Sequence, residues 1–342
     1  MEIKKILITG SEGYIGSTLV EKLLAKSFDV VGLDVQYFTK RFENVPHHKV
    51  LKTDIRDLKN IKLEGYDAVI HLAALSNDPI GEIDPGLTKE INYEASVNLA
   101  KKAKKSGVKK FIFSSSCSIY GTSNNGIVDE TSIPVPLTHY AESKLNAEND
   151  LRELSSDSFH VHNLRNATVY GYSSNFRDDI VVNNLTASAY TLDSINILSD
   201  GTPWRPLIDV RDLADIFIQF IETDKSTKGD PVNIGFTENN LRVKDIVDKI
   251  HMLLPSAKIN YMNQRPDDKR SYKVEFKKLE SLFPEMKQIW NLEKSVLHLL
   301  EIFSKNNYSK EIFLKGKFTR LSQIKALINN KKLDDSLYWS NL

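Results

Sequence analysis

The chain has 342 residues, 46 Lys and Arg against 45 Asp and Glu, and a formal charge of +1. That length gives one large domain, or two closely packed ones, ample core, and 41% hydrophobic residues exclude a disordered chain. Near-neutral charge removes the compositional argument for a nucleic-acid partner, and a single cysteine, Cys117, excludes an internal disulfide and a thiolate zinc cage.

A reducing compartment follows, and we expect a cytoplasmic protein without a leader. The first apolar run, residues 6–8, is far shorter than the roughly 7–15 residues of a signal core. No apolar stretch reaches the roughly 20 residues of a membrane span, so no membrane partner is expected.

In chain order, short apolar runs at residues 6–8, 30–33, 49–51, 68–72, 111–113 and 160–164 read as strands. Between them Ile15, Leu19 and Leu23 recur every fourth residue, as do Ile91, Ala95, Leu99 and Ala103, which buries one helical face against a sheet. Alternating strands and helices predict βαβ units and a doubly wound parallel sheet of the α/β class. From about Gly171 the alternation weakens. A mixed segment at 172–203 precedes an apolar run at 207–210, a helix at 212–222, a short segment at 231–234 and a helix at 243–253. A Pro- and charge-rich stretch at 263–270 leads on to a helical, basic tail at 284–342. We expect a dinucleotide-binding domain of residues 1–171 with a return segment at about 206–236. A smaller mixed α/β substrate domain takes 172–205 and 237–283. The lysine clusters at 101–110 and 305–332 read as solvated helix faces, since no stacking aromatics interleave the first of them.

Gly10-Ser11-Glu12-Gly13-Tyr14-Ile15-Gly16 follows the first strand and opens the first helix. Such a turn aims free N–H groups and the positive helix end at a pyrophosphate, and glycines let the backbone turn sharply and approach phosphate closely. Asp34 ends the second strand, 18 residues after Gly16. Its carboxylate suits the adenosine ribose hydroxyls and repels a 2′-phosphate, which favours NAD over NADP. Asp54 and Ile55, after the third strand, are placed to bracket the adenine.

The Gly-x-x-Gly-x-x-Gly spacing resembles the short-chain dehydrogenase/reductase superfamily. Its extended branch, the nucleotide-sugar epimerases and dehydratases, is matched by His71-Leu72-Ala73-Ala74, by Ser114-Ser115-Ser116-Cys117-Ser118-Ile119-Tyr120-Gly121 and by Tyr140-Ala141-Glu142-Ser143-Lys144. Residues 164–171 and 200–205 add to the likeness, which covers most of residues 1–275. An offset of four puts Tyr140 and Lys144 on one helical face. A free tyrosine has a pKa of about 10, and a neighbouring ammonium lowers it toward the operating pH. The resemblance implies Tyr140 as acid/base, Lys144 also holding the nicotinamide ribose, and Ser116 bonding the sugar hydroxyl. It further implies coenzyme contacts from Leu72, Ala73, Ala74, Asn92 and Ser114, with His71 structural. Cys117 reads as a small buried residue that also borders the sugar.

Dehydratases of this family carry an Asp-Glu pair where this chain has Cys117-Ser118, which counts against water elimination. What remains resembles the UDP-galactose 4-epimerases, whose small residues here let a sugar ring turn, with Thr168 a further candidate for substrate contact. Asn183, Arg205, Arg265 and Arg270 are the expected anchors of the nucleotide-diphosphate sugar, since guanidinium grips diphosphate bidentately. Thr168, often Asn in the family, and the long tail depart from the pattern. A dehydrogenase, dehydratase or ketoreductase outcome stays open. A non-catalytic NAD-binding protein is disfavoured by retention of Ser116, Tyr140 and Lys144 together. The resemblance also implies a homodimer through helices near 92–105 and 140–154.

Overall fold

The computed structural model describes residues 2–39, 41–43, 46–76, 84–262 and 270–340. Strands β1 (Lys5–Thr9), β2 (Asp29–Asp34), β3 (Lys49–Lys52), β4 (Ala68–His71), β5 (Lys110–Ser116), β7 (His160–Asn166) and β11 (Val232–Ile234) build one sheet in the order β11-β7-β5-β4-β1-β2-β3. Every pairing in it is parallel. The order reverses between β1 and β4, and it is there, beyond the strands' carboxyl ends, that such sheets take ligands.

Both faces are covered because the strands alternate. Ile6 and Ile8 face α1 (Tyr14–Ala25) and α5 (Val210–Glu222), joining Leu19, Leu213 and Phe217 in one core. Leu7 faces the other way, into a core with Leu99 of α2 (Ala95–Lys105) and Leu151 of α3 (His139–Leu154). The all-parallel, doubly wound Rossmann-type sheet is therefore present, six of its seven strands within a few residues of their expected places and the seventh, β11, within the 231–234 segment.

The second half is built of smaller pieces. β8 (Thr168–Tyr170), β10 (Trp204–Asp209) and β12 (Asn240–Arg242) form one small sheet, while β9 (Ser194–Ile197) pairs with β13 (Lys258–Tyr261) and β6 (Thr122–Val128) with β14 (Ser271–Val274). α4 (Val181–Leu192) and α6 (Val243–Leu253) pack on them through Val182, Leu185, Ile246 and Val247. α7 (Lys277–Leu282) leads to the tail. There α8 (Leu292–Lys305), α9 (Lys310–Leu314) and α10 (Arg320–Asn329) run back to the main body, and Ile324, Leu333 and Leu337 join the core of α2 and α3. No described helix is long and apolar enough to cross a membrane.

A buried ion pair ties α3 to the sheet. Arg165 of β7 donates from Nε (3.0 Å) and Nη2 (2.8 Å) to Glu148 Oε2, and its Nη1 donates to the Tyr120 hydroxyl at 2.9 Å. Ser115 Oγ donates to the other Glu148 oxygen. Loss of one partner strands a charge in the interior, so Glu148→Ala is expected to lower the unfolding free energy by about 3–5 kcal/mol. Urea unfolding checks this, with the Glu148→Leu/Arg165→Met double change expected to cost less than Glu148→Ala alone.

Candidate active site

At the sheet's carboxyl edge lies a cavity of about 700 Å³. The β1–α1 turn forms its floor. Gly10 sits at φ +72°, and a Cβ there would lie 2.8 Å from the Ala73 nitrogen. A Cβ on Gly16 would lie 2.1 Å from the Gly10 carbonyl oxygen. Only glycine lets the loop, the helix and the β4 end meet so closely. Gly13 caps α1 without any side-chain bond, which leaves the helix N-terminus facing the cavity for an anion. Tyr14 and Ile15 also line it, and the Tyr14 hydroxyl donates to the Gly171 carbonyl at 2.7 Å.

Asp34 is held by N–H donation from Glu12 (3.0 Å) and Gln36 (2.6 Å), and burial pushes its pKa up to about 6. Asp54 and Ile55 line the same end, the Asp54 carboxylate accepting from Arg56 Nε and Nη2 at 3.0 and 2.8 Å. Leu72, Ala73, Ala74 and Ser114 complete this half. A glycine cradle, an uncapped helix start and a carboxylate after β2 fit a dinucleotide.

On the other wall β5 and α3 bring together Ser116, Tyr140 and Lys144. Thr138 caps α3, accepting from the Ala141 N–H, so Tyr140 lies in its first turn. Lys144 Nζ donates to the Ser114 carbonyl at 2.8 Å and lies 4.6 Å from the centre of the Phe113 ring and 5.9 Å from that of Tyr140. Ser116 Oγ accepts from the Ser118 N–H at 3.1 Å. Ser118, Thr168, Arg205 and Arg270 also line the cavity, and Arg205 Nη1 donates to the Arg270 carbonyl.

His71 lies behind the site. Ser96 spends its proton on the Asn92 carbonyl (2.8 Å), so its oxygen accepts from His71 Nε2 (2.7 Å) and Nδ1 accepts from Thr9 Oγ1 (2.6 Å). Burial, with Lys144 nearby, lowers the His71 pKa to about 3 and keeps the ring neutral.

Three of the expected residues do not line the cavity. Asn92 exchanges two hydrogen bonds with the Leu75 backbone and fixes the loop after β4. Cys117 is buried, donates to the Arg165 carbonyl at 3.1 Å, and has its thiol pKa pushed up by burial. Asn183 donates to the Gly171 and Arg177 carbonyls and accepts from the Gly171 N–H. One position on, Asn184 lines the cavity instead, because a step of one residue along a helix turns the side chain by about 100°. Arg265 lies outside the described residues. Reading the sequence missed Asn184, Arg177 and Arg320, all on the cavity wall; the Asn183-Asn184 doublet was the one available signal.

Burial pulls the Lys144 ammonium down to about 7, with Glu148 opposing, whereas an unfolded lysine titrates at about 10.4. Between those values the unfolded chain binds more protons, so the destabilisation is complete below the folded pKa and fades as pH rises toward the unfolded one. Lys144→Met is expected to raise the melting temperature of coenzyme-stripped protein at neutral pH and below, with the gain shrinking toward pH of roughly 10. A melting temperature lowered at every pH contradicts this.

Residues 6–235 match the model of the NAD dependent epimerase/dehydratase family. The UDP-glucuronate 4-epimerase of Thermodesulfobacterium geofontis is 28% identical over 329 residues, 89% of this chain and 96% of that protein. UDP-glucuronic acid decarboxylase 3 of Arabidopsis thaliana is 26% identical over 302 residues, 81% of this chain and 83% of that one. The structure of the UDP-glucose 4-epimerase of Thermotoga maritima with UDP-glucose superposes with a TM-score of 0.80 at 26% identity, over 89% of this chain and 99% of that one. With its glycine cradle, its acid after β2 and its Tyr140–Lys144 helix, this chain belongs to the NAD dependent epimerase/dehydratase family and is an NAD-dependent enzyme.

Proposed function

We propose that this enzyme is a nucleotide-sugar 4-epimerase working through a 4-keto sugar. One observation carries the reading: Ser116, Tyr140 and Lys144 share a cavity wall on which position 118 is a serine and Cys117 is turned inward. The wall thus has a hydroxyl-deprotonating group and lacks, at 117 and 118, the carboxylates that would eliminate water. When bound, NAD accepts a hydride from the sugar's C4 and returns it.

Tyr140 takes the proton of the 4-hydroxyl, and Ser116 orients that hydroxyl by a hydrogen bond. The Lys144 ammonium, fixed on the Ser114 carbonyl, favours the phenolate. Return of the proton from Tyr140 completes the cycle on whichever face the ring presents. Arg205, Arg270 and Asn184 line the cavity and serve as nucleotide anchors while the ring turns. A UDP-sugar is the substrate class, by analogy with the relatives' substrates, and a homodimer through α2 and α3 belongs to the same proposal.

Purified protein mixed with UDP-glucose, UDP-glucuronate or UDP-N-acetylglucosamine tests the reaction. The expected product keeps the substrate's mass and differs at C4 by NMR. Loss of two hydrogens, of water or of carbon dioxide assigns a dehydrogenase, a dehydratase or a decarboxylase instead. Tyr140→Phe is expected to lower turnover by about 10²–10⁴-fold with NAD still bound; undiminished turnover removes Tyr140 as the base.

A further inference from the structure

The C-terminal segment lies outside the part that matches the family model, yet it forms a wall of the coenzyme site. Thr319, Arg320, Leu321 and Ile324 line the cavity. Beyond them the chain is pinned to the ends of β2 and β3. Trp339 Nε1 donates to the Val35 carbonyl at 2.7 Å, the Tyr37 hydroxyl donates to the Leu337 carbonyl, and Arg56 Nη1 donates to the Ser336 carbonyl at 2.9 Å.

Two buried guanidinium groups, those of Arg177 and Arg320, belong to the cavity wall here. Arg320 is 1% exposed; its Nη2 donates to Asn175 O (3.0 Å) and Oδ1 (2.8 Å). It lies over the Phe38 ring, 4.3 Å from its centre. Arg177 is 6% exposed; its Nε donates to Asp179 Oδ1 (2.8 Å) and its Nη1 to Ser76 Oγ (3.1 Å). The Arg320 N–H takes the other Asp179 oxygen at 3.1 Å, so one carboxylate is shared between the two arginines. Arg320 Nη1 and Arg177 Nη2 have no hydrogen-bond partner among the described residues.

The remaining carboxylates nearby are already occupied. Asp178 accepts from the Tyr308 and Thr319 hydroxyls, and Asp34 from two backbone N–H groups. Burial, with Arg177 adding repulsion, pulls the Arg320 pKa down to about 9. Burying two like charges and leaving a donor of each unused is costly unless an anion joins them. The location says which anion. Phe38 follows Asp34 at the end of β2, and Ser76 follows β4, so both arginines close over strand ends that flank the glycine turn.

We propose that Arg177 and Arg320, the second delivered by the C-terminal segment, bind the diphosphate of NAD, and that residues 319–339 thereby hold the coenzyme from one turnover to the next. Guanidinium suits a diphosphate because its planar donors match phosphate oxygens. The inference concerns coenzyme binding alone and stands whichever sugar is turned over.

The test uses the full chain and needs no turnover. NAD remaining per chain after gel filtration is counted, and the affinities for ADP-ribose and for adenosine are titrated. Arg177→Gln and Arg320→Gln are expected to shed NAD and to bind ADP-ribose at least about tenfold more weakly, with adenosine affinity unchanged. Arg177→Lys, which keeps the charge and loses the fork, is expected to fall between. Circular dichroism and melting report whether each variant folds, and where Arg320→Gln does not, Arg177→Gln decides. ADP-ribose affinity within about twofold of the parent overturns the proposal. So does an equal loss for adenosine, or a raised KM for the nucleotide sugar with NAD binding intact.

Discussion

An ammonium group held against a strand's carbonyl organises the site. Lys144 reaches from α3 to the Ser114 oxygen of β5 at 2.8 Å, and this contact sets how α3 presents Tyr140 to the cavity. Residues 140, 144 and 148 fall four apart, on one helical face, and each has a different task. Tyr140 borders the cavity, Lys144 pins the helix, and Glu148 closes on Arg165. Burying an ammonium is unfavourable, and the carboxylate one turn further on offsets part of that cost by favouring the charged form. The same fixed carbonyl continues into Ser116, so the proposed base and its helper hydroxyl are positioned by one strand and one helix.

The coenzyme half is governed by closeness rather than by charge. Gly10 and Gly16 let β1, α1 and the end of β4 approach until no Cβ fits between them, which exposes backbone N–H groups to a phosphate without intervening side chains. The C-terminal segment then walls the end of the cavity beyond β2. Enclosure bears on the choice of reaction. An epimerase removes and returns hydride with one and the same coenzyme molecule, whereas a dehydrogenase must exchange it at each turnover. A wall tied to β2 and β3 at several points suits the first.

Much of this was legible in the sequence, for identifiable reasons. Central strands of the main sheet such as β1 and β4 are buried on both faces and read as apolar runs, and the edge strand β3, only half-buried, still shows Val50-Leu51; β8, β9, β12, β13 and β14 of the second half are three or four residues long, too short for a period to emerge. The glycine turn, Asp34, Tyr140 and Lys144 were visible because their chemistry depends on local spacing. Asn183 and Asn184 were separable only by the rotation of α4. Cys117 faces Arg165 because β5 gives way to a short 3-10 turn, Cys117–Tyr120, at that point. Arg177 and Arg320 are 143 positions apart by number (320 − 177) and meet only through the return path of the tail, which no local pattern encodes.

The central claim is that hydride leaves and rejoins the same sugar carbon while Tyr140 moves the hydroxyl proton and the coenzyme stays enclosed. Its most direct test follows a UDP-sugar carrying deuterium at C4, turned over in ordinary water with excess free NAD. The account predicts that deuterium remains on C4 of both epimers and does not appear in the free coenzyme pool. Deuterium lost to water, or collected in free coenzyme, contradicts it.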